Sequence, residues 1–269
     1  MRQIKILCGL TLAGIFVTGC SPDSSNVFQG YIEGEYVYVA SPLGGTLQNL
    51  AVARGHQVEA GQRLFQLERR SEADAARQAS NNLAQAKANL ALSETEYARR
   101  AQLRGDQGVI SAEELDQARA QRDADRAQVE AQTAALAKAN WSFEQKEQFA
   151  PTNAFVQDTL YRVGEWVAAG NPVVQLLPPD NLKVRFFVSE TILPKIKPGQ
   201  IVRVSFDGGK RDYTATVNYI SAQAEFTPPV IYSQENRAKL VYMIEAKFSP
   251  ADAADLRPGQ PVDVELAAK

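Results

Sequence analysis

The segment GHQVEAGQRLFQL at residues 55–67 returns in altered form as GEWVAAGNPVVQL at residues 164–176. The offset is 109 residues with no gap. Gly55/Gly164, Val58/Val167, Ala60/Ala169, Gly61/Gly170, Gln66/Gln175 and Leu67/Leu176 are identical, and Pro42/Pro151 and Gln48/Gln157 extend the match upstream. Around the first copy, residues 30–67 alternate apolar and polar side chains between turn glycines, which reads as short strands joined by tight turns. Gly55 and Gly61 sit where the chain must reverse, with Gly164 and Gly170 as their counterparts; glycine tolerates a positive φ there. A unit of about 38 residues buries too little apolar surface to stand alone. Residues 150–182 supply a second unit of the same kind, so the two copies are expected to close one β-sandwich between them.

The residues separating the copies follow a different period. From Ser71 to Gln148 there is no proline, and the only glycines are Gly105 and Gly108. Ala76, Leu83, Leu90 and Tyr97 recur every seven residues, with Ala79 and Ala86 three after the first two. Leu115, Val129, Leu136 and Phe143 keep the same step on the return, with Ala118 and Ala139 three after theirs. A sustained pattern of this kind indicates a coiled coil. GDQGVIS interrupts it, and Ser111 followed by Glu114 forms a capping box that starts a second helix. The expectation is an antiparallel helical hairpin over 71–148 with its tip at 104–112. Each arm of about 37 residues reaches roughly 55 Å at 1.5 Å per residue. The seam has polar members: Arg122 at an a-type position, Asp125 and Gln132 at d-type positions. Folding about Gly108 brings Arg122 near Glu94. Either the two pair across the hairpin or both reach solvent past small alanines.

The last third repeats as well. IKPGQIVRVSF at 196–206 matches LRPGQPVDVEL at 256–266. Pro198–Gly199 and Pro258–Gly259 each specify a type II turn, and alternating valines then run on as a strand. LKVRFFVSE, DYTATVNYI and LVYMIEAKF add three more strands, and SETILPKI is at most a short helix. Five or six strands with one short helix predict a small closed β-barrel over 182–269.

At the N-terminus, Arg2 and Lys5 precede an apolar run from Ile6 to Val17 that is shorter than the ~20 residues a bilayer requires. This fits the h-region of a signal peptide, residues 1–19. VTGC at 17–20 resembles the lipobox of bacterial lipoproteins, which implies acylation of Cys20 on sulfur; an ordinary signal peptide with a chance cysteine is the alternative. SPDSSN is polar and turn-rich, as a tether over 20–29 requires. Cys8 leaves with the signal, so no thiol remains for a disulfide or a cysteine metal cluster. His56 is the only histidine and reads as a solvated turn residue.

The two sandwich halves resemble those of biotinyl/lipoyl domains. Carriers of that type need a lysine on the hairpin joining the halves. Here LERRSEADAA follows the first half, with Arg69 and Arg70 and no lysine before Lys87. Arginine cannot form the amide, so a prosthetic-arm carrier is disfavoured and no cofactor is expected beyond the lipid on Cys20. Zinc-ligand spacing, a phosphate loop and a nucleophile elbow are absent from the sequence. Glu113 and Glu114 read as first-turn carboxylates favoured by the helix dipole. No catalytic or metal site is expected. With 29 basic and 31 acidic residues and no basic run, neither is a nucleic-acid partner.

The order of modules is more specific than any one of them: lipobox, half sandwich (30–70), hairpin, second half sandwich (149–181), barrel. The fold class expected is elongated α+β. The order resembles that of the HlyD-type membrane fusion proteins, the periplasmic adaptors of tripartite efflux and secretion systems. The resemblance implies an inner-membrane transporter and an outer-membrane channel as partners, and a homo-oligomeric ring, commonly a hexamer. It implies a tip that docks the channel through an arginine, a leucine four residues later and a serine seven beyond. Arg100 and Ser111 have that separation; Arg104 occupies the leucine position, with Leu103 beside it. Too little sequence lies before Gly30 and after Leu266 for the fourth domain usual in adaptors of resistance-nodulation-division pumps. Residues 224–246 resemble the barrel segment of adaptors paired with ABC-type exporters. A major-facilitator or resistance-nodulation-division partner is the alternative, and a plain envelope scaffold the rival class. The resemblance places the lipid anchor in the inner membrane, whereas Ser21 after the lipid cysteine points to the outer one.

Overall fold

A computed structural model describes residues 27–107, 110–209, 211–226, 240–253 and 255–267. Strand β1 (Val27–Gly34) comes first. The first copy of the repeat supplies β2 (Val37–Ala40), β3 (Gly45–Leu50), β4 (Gln57–Val58) and β5 (Arg63–Leu67). Helices α1 (Arg70–Gln107) and α2 (Ala112–Glu144) follow. The second copy supplies β6 (Glu147–Phe149), β7 (Ala154–Thr159), β8 (Trp166–Val167) and β9 (Pro172–Leu177). The last third folds as β10 (Leu182–Ser189), β11 (Ile201–Ser205), β12 (Tyr213–Phe226), β13 (Leu240–Phe248), the single turn α3 (Pro250–Ala253) and β14 (Pro261–Leu266).

The repeat folds by exchange. One sheet has the order β2-β9-β7-β4 and the other β6-β5-β3-β8. At the offset of 109 residues, β2 corresponds to β6, β3 to β7, β4 to β8 and β5 to β9. The two sheets are therefore copies of each other, and each draws two strands from either half. Leu47, Val58, Leu64, Phe65 and Leu67 share one core with their counterparts Val156, Val167, Val173, Val174 and Leu176. The turn glycines Gly55, Gly61, Gly164, Gly170, Gly199 and Gly259 all have φ between 78° and 96°, a region that side-chain-bearing residues avoid.

The hairpin seam is narrow. Along α1 the less exposed positions step by three and four through Ala79, Leu83, Ala86, Leu90, Ser93 and Tyr97; along α2 they step through Ala118, Arg122, Asp125, Val129, Gln132 and Leu136. Among the described residues of the two helices, only Leu83, Ala86, Ser93 and Ala118 are buried. The 38 residues of α1 give a rod of about 57 Å.

Six strands close the barrel in the order β1-β10-β13-β12-β11-β14. Here the expected boundaries need correction. Val27–Gly34 belongs to the barrel, not to the tether or the first half sandwich: it pairs with β10 from Gly30↔Phe186 to Gly34↔Leu182 and with β14 from Val27↔Glu265 to Tyr31↔Pro261. The last third carries five strands, and β1 joins β10 to β14 to complete the ring. β1 fits because Ile32 is buried in the barrel core, while Gly30 lets the strand lie close to β10: a Cβ there would stand 2.5 Å from the Arg185 carbonyl oxygen. The hairpin is also shorter than 71–148. Its helices span Arg70–Gln107 and Ala112–Glu144, and Glu147–Phe149 is an edge strand paired with β5.

Candidate functional site

At the tip, Ser111 is the N-cap of α2, with φ −69° and ψ 159°. The Glu114 amide donates to Ser111 Oγ at 3.2 Å, and the Ser111 amide donates to Glu114 Oε2 at 2.9 Å. Both halves of a capping box are present, which satisfies two amides that the first turn leaves without helical partners. The amide and hydroxyl of Ser111 hold the Glu114 carboxyl below its usual range, with a smaller contribution from Arg100. Arg100 Nη1 donates to the Glu114 carbonyl at 3.4 Å and so crosses the hairpin. Leu103 is half-buried and Arg104 is exposed. Arg100 and Ser111 thus meet around Glu114, while Arg104 faces solvent. Cys20 lies outside the described residues, as do Gly108 and Val109 of the tip and residues 227–239 of the segment resembling ABC-linked adaptors.

Of the two alternatives for Arg122 and Glu94, pairing with each other is not the one found. Arg122 instead lies over the Tyr97 ring at 4.3 Å and pairs with its neighbour Asp123 at 2.7 Å, and Glu94 pairs with Arg126 at 3.4 Å. Tyr97 meets Arg119 in the folded register, and its flat ring offers the longer-reaching Arg122 guanidinium a face on the seam. Arg119 approaches the Tyr97 hydroxyl at 3.5 Å, and that hydrogen bond lowers the phenol from its usual range. The seam therefore changes character along its length: Ala79, Leu83, Leu90, Val129 and Leu136 near the base, tyrosine and arginines towards the tip.

Two joints support this rod. At the hairpin joint Lys146 Nζ donates to the Gly44 carbonyl at 2.6 Å and pairs with Glu72 at 3.0 Å. Ser41 Oγ donates to the Gln145 carbonyl at 2.7 Å, and Arg69 pairs with Glu147 at 2.7 Å while lying over Phe143. At the barrel joint Lys183 pairs with Glu35 at 2.6 Å and Glu245 at 2.8 Å, and Arg185 pairs with Glu33 and Glu245, both at 2.8 Å. Burial pushes the Lys183 ammonium down, but hydrogen bonds to Glu245 and Glu35 outweigh it and leave it above its usual range. Burial pushes the Glu245 carboxyl up, and Lys183 and Arg185 outweigh that and hold it low. Sequence reasoning missed both clusters. Lys183 and Glu35 lie 148 residues apart in sequence, and no local pattern marks a lysine that tertiary pairing will bury.

Among the described residues, no group of three or more His, Cys, Asp or Glu side chains could hold a metal ion. No helix among them is long and apolar enough to cross a membrane.

Residues 75–145 match the family model described as RND MFP, alpha-helical hairpin domain. The chain is 29% identical to a UPF0194 membrane protein of Yersinia pseudotuberculosis serotype IB, covering 91% of this chain and 90% of the relative. Its fold is similar to that of the membrane fusion protein Spr0693 from Streptococcus pneumoniae R6, with a TM-score of 0.67 at 20% identity over 90% of this chain and 99% of the other. It is also similar to MacA from Actinobacillus actinomycetemcomitans, with a TM-score of 0.69 at 18% identity over 90% of this chain and 78% of the other.

Proposed function

Because the chain belongs to the membrane fusion protein family of periplasmic adaptors, we propose that it links an inner-membrane exporter to an outer-membrane channel. The observation that carries this reading is the shape. A rod of about 57 Å with a capped tip and a closed barrel leave the same sandwich at two separate joints. Such a molecule can hold two other proteins in register, and its role is geometric rather than catalytic. The tip docks the channel through Arg100, Leu103, Arg104 and Ser111, with Arg100 donating to channel oxygens and Ser111 both capping α2 and touching the channel. The exporter is of the ABC type, supported by the resemblance of residues 224–246. The match of the hairpin to a resistance-nodulation-division model favours that pump class as the second reading. A lipid on Cys20 anchors the chain to the inner membrane, and several copies form a ring, with six as the number the family suggests.

The test uses a photo-crosslinking amino acid in cells, at position 104 of the tip or at position 201 of the barrel, where Ile201 is exposed. The tip should capture an outer-membrane channel and the barrel a permease whose class decides between the two pumps. Ser111→Asp combined with Arg100→Asp should abolish capture at the tip while leaving the melting temperature within a few degrees, since aspartate also caps. Crosslinks only between copies of the chain would mean an envelope scaffold instead.

A further inference from the structure

Lys146 and Lys183 are the two lysines buried among the described residues, at 5% and 7% exposure. Each stands at one of the two places where the chain passes between modules. The hairpin joint has crossings at 68–70 and 144–147, the barrel joint at 34–37 and 177–182. At the first, Lys146 follows α2 and reaches the sandwich loop at Gly44 and the first turn of α1 at Glu72. Gly45 leaves its path open, since a Cβ there would stand 3.1 Å from Nζ. At the second, Lys183 opens β10 and reaches Glu35 on the other crossing and Glu245 on β13. The same two crossings are joined by the Glu35 amide donating to the Asn181 carbonyl at 3.1 Å and by Asn181 Nδ2 donating to the Glu35 carbonyl at 2.9 Å.

Stability alone is a poor reason to bury these charges. Removing an ion from water costs several kcal/mol, and a well-packed apolar replacement is often neutral or stabilising. Apolar packing is also non-directional, and at both joints it is incomplete. A cavity of about 280 Å³ lined by Phe155, Leu177, Leu256 and Pro258 lies at the barrel joint. A groove of about 350 Å³ runs along Leu43, Ala75 and Ala139 at the hairpin joint. Packing of that kind leaves the angle between modules loosely specified. A buried ammonium fixes it, because each of its partners must stay within hydrogen-bond reach.

We infer that Lys146 and Lys183 are positioning residues that lock the hairpin and the barrel at set angles on the sandwich, so that a displacement of the barrel is carried to the tip. This goes beyond the adaptor reading and does not depend on which exporter or channel is bound.

The experiment is hydrogen–deuterium exchange on the full chain in detergent. Lys183→Met and Glu35→Ala should speed exchange of amides in 34–36 and 178–183 roughly tenfold or more, leaving the hairpin joint unchanged. Lys146→Met, and the apolar pair Lys146→Met with Glu72→Leu, should do the same in 43–46 and 67–72 and spare the barrel joint. Amides around Val156 and Val204, in the two cores, should keep their protection in every variant. The Glu35 side chain is 61% exposed, so its removal tests the barrel joint even if Lys183→Met fails to fold. Joint amides that exchange as in the parent chain overturn the proposal. So does a parallel loss of protection in the cores, which would reduce the lysines to ordinary stabilising groups.

Discussion

The two copies of the repeat have the same strands and different surroundings. In the first copy, Arg54 and Gly55 face the barrel module across a cavity lined by Leu256 and Pro258. In the second, the equivalent Val163 is 60% exposed, beside Trp166 at 68%. The entries differ in the same way: the chain reaches β2 from a barrel strand and the equivalent β6 from a helix. β2 runs from one joint to the other, pairing Val37 with Leu176 beside the barrel and ending next to Ser41, which bonds Gln145 beside the hairpin. A duplicated half sandwich thus provides two equivalent attachment points, one at either end of its strands. The sandwich needs only the residues common to both copies; what is attached depends on residues outside them.

The largest effect should come from removing one copy. Deleting 150–177 takes β7, β8 and β9 out of both sheets and removes Val156, Val167, Val173, Val174 and Leu176 from the core shared with Leu47, Phe65 and Leu67. The product should aggregate. Replacing 70–144 by a short turn keeps all eight sandwich strands and should give a cooperatively melting, mostly β protein by circular dichroism. If that variant is unfolded, the two copies do not form an independent module.

A smaller contrast lies between the sandwich core and the hairpin seam. Phe65 is fully buried, and Phe65→Ala should cost about 3–5 kcal/mol. Leu83 sits in a two-helix seam at 9% exposure, where the neighbours can close the gap, so Leu83→Ala should cost about 2 kcal/mol. Denaturant melts of the two variants measure the difference, and equal costs would mean that the seam is as tightly packed as the sandwich.

The smallest effect concerns pH at the barrel joint, where Glu33, Glu35, Glu245, Lys183, Arg185 and Tyr31 face one another. The folded Glu245 carboxyl lies below its ordinary 4.5. Its contribution is therefore complete above that pH and is lost as pH falls through the lowered value. The folded Lys183 ammonium lies above its ordinary 10.5, so its contribution is complete below 10.5 and lost only as pH rises through the raised value. The melting temperature should be flat from about pH 6 to 9 and fall in acid. Glu245→Gln should flatten the acid limb, while helix content at the hairpin joint stays constant through the same range. A variant with an unchanged acid limb would assign the titration to other carboxylates.

Most of this architecture is legible in the sequence because its causes are local or periodic. The identical glycines and valines of 55–67 and 164–176 dictate two copies of one strand pattern, and the seven-residue steps from Ala76 and Leu115 dictate two paired helices. Ser111 and Glu114 announce their own cap, since a capping box needs only four consecutive residues. The misreadings fall where partners are remote. Val27–Gly34 alternates like any strand, and nothing within it states that Phe186 and Val264, rather than the neighbouring sandwich, will cover it. Arg122 has several acceptors within one helical turn of the folded register, and only the three-dimensional packing of the seam put it on Tyr97 and gave Glu94 to Arg126.

The sequence by itself determined the elements, the duplication, the capped tip and the order of modules, because φ preferences, hydrophobic period and turn chemistry act over a few residues. Only the tertiary structure decided that the repeats exchange strands, that the barrel takes its sixth strand from the start of the described chain, and that Lys146 and Lys183 are buried at the joints. Those outcomes depend on closing sheets and pairing charges between residues as far apart as Glu72 and Lys146, Glu35 and Lys183, and Val27 and Glu265, and the free energy of such closure is not carried by any one segment.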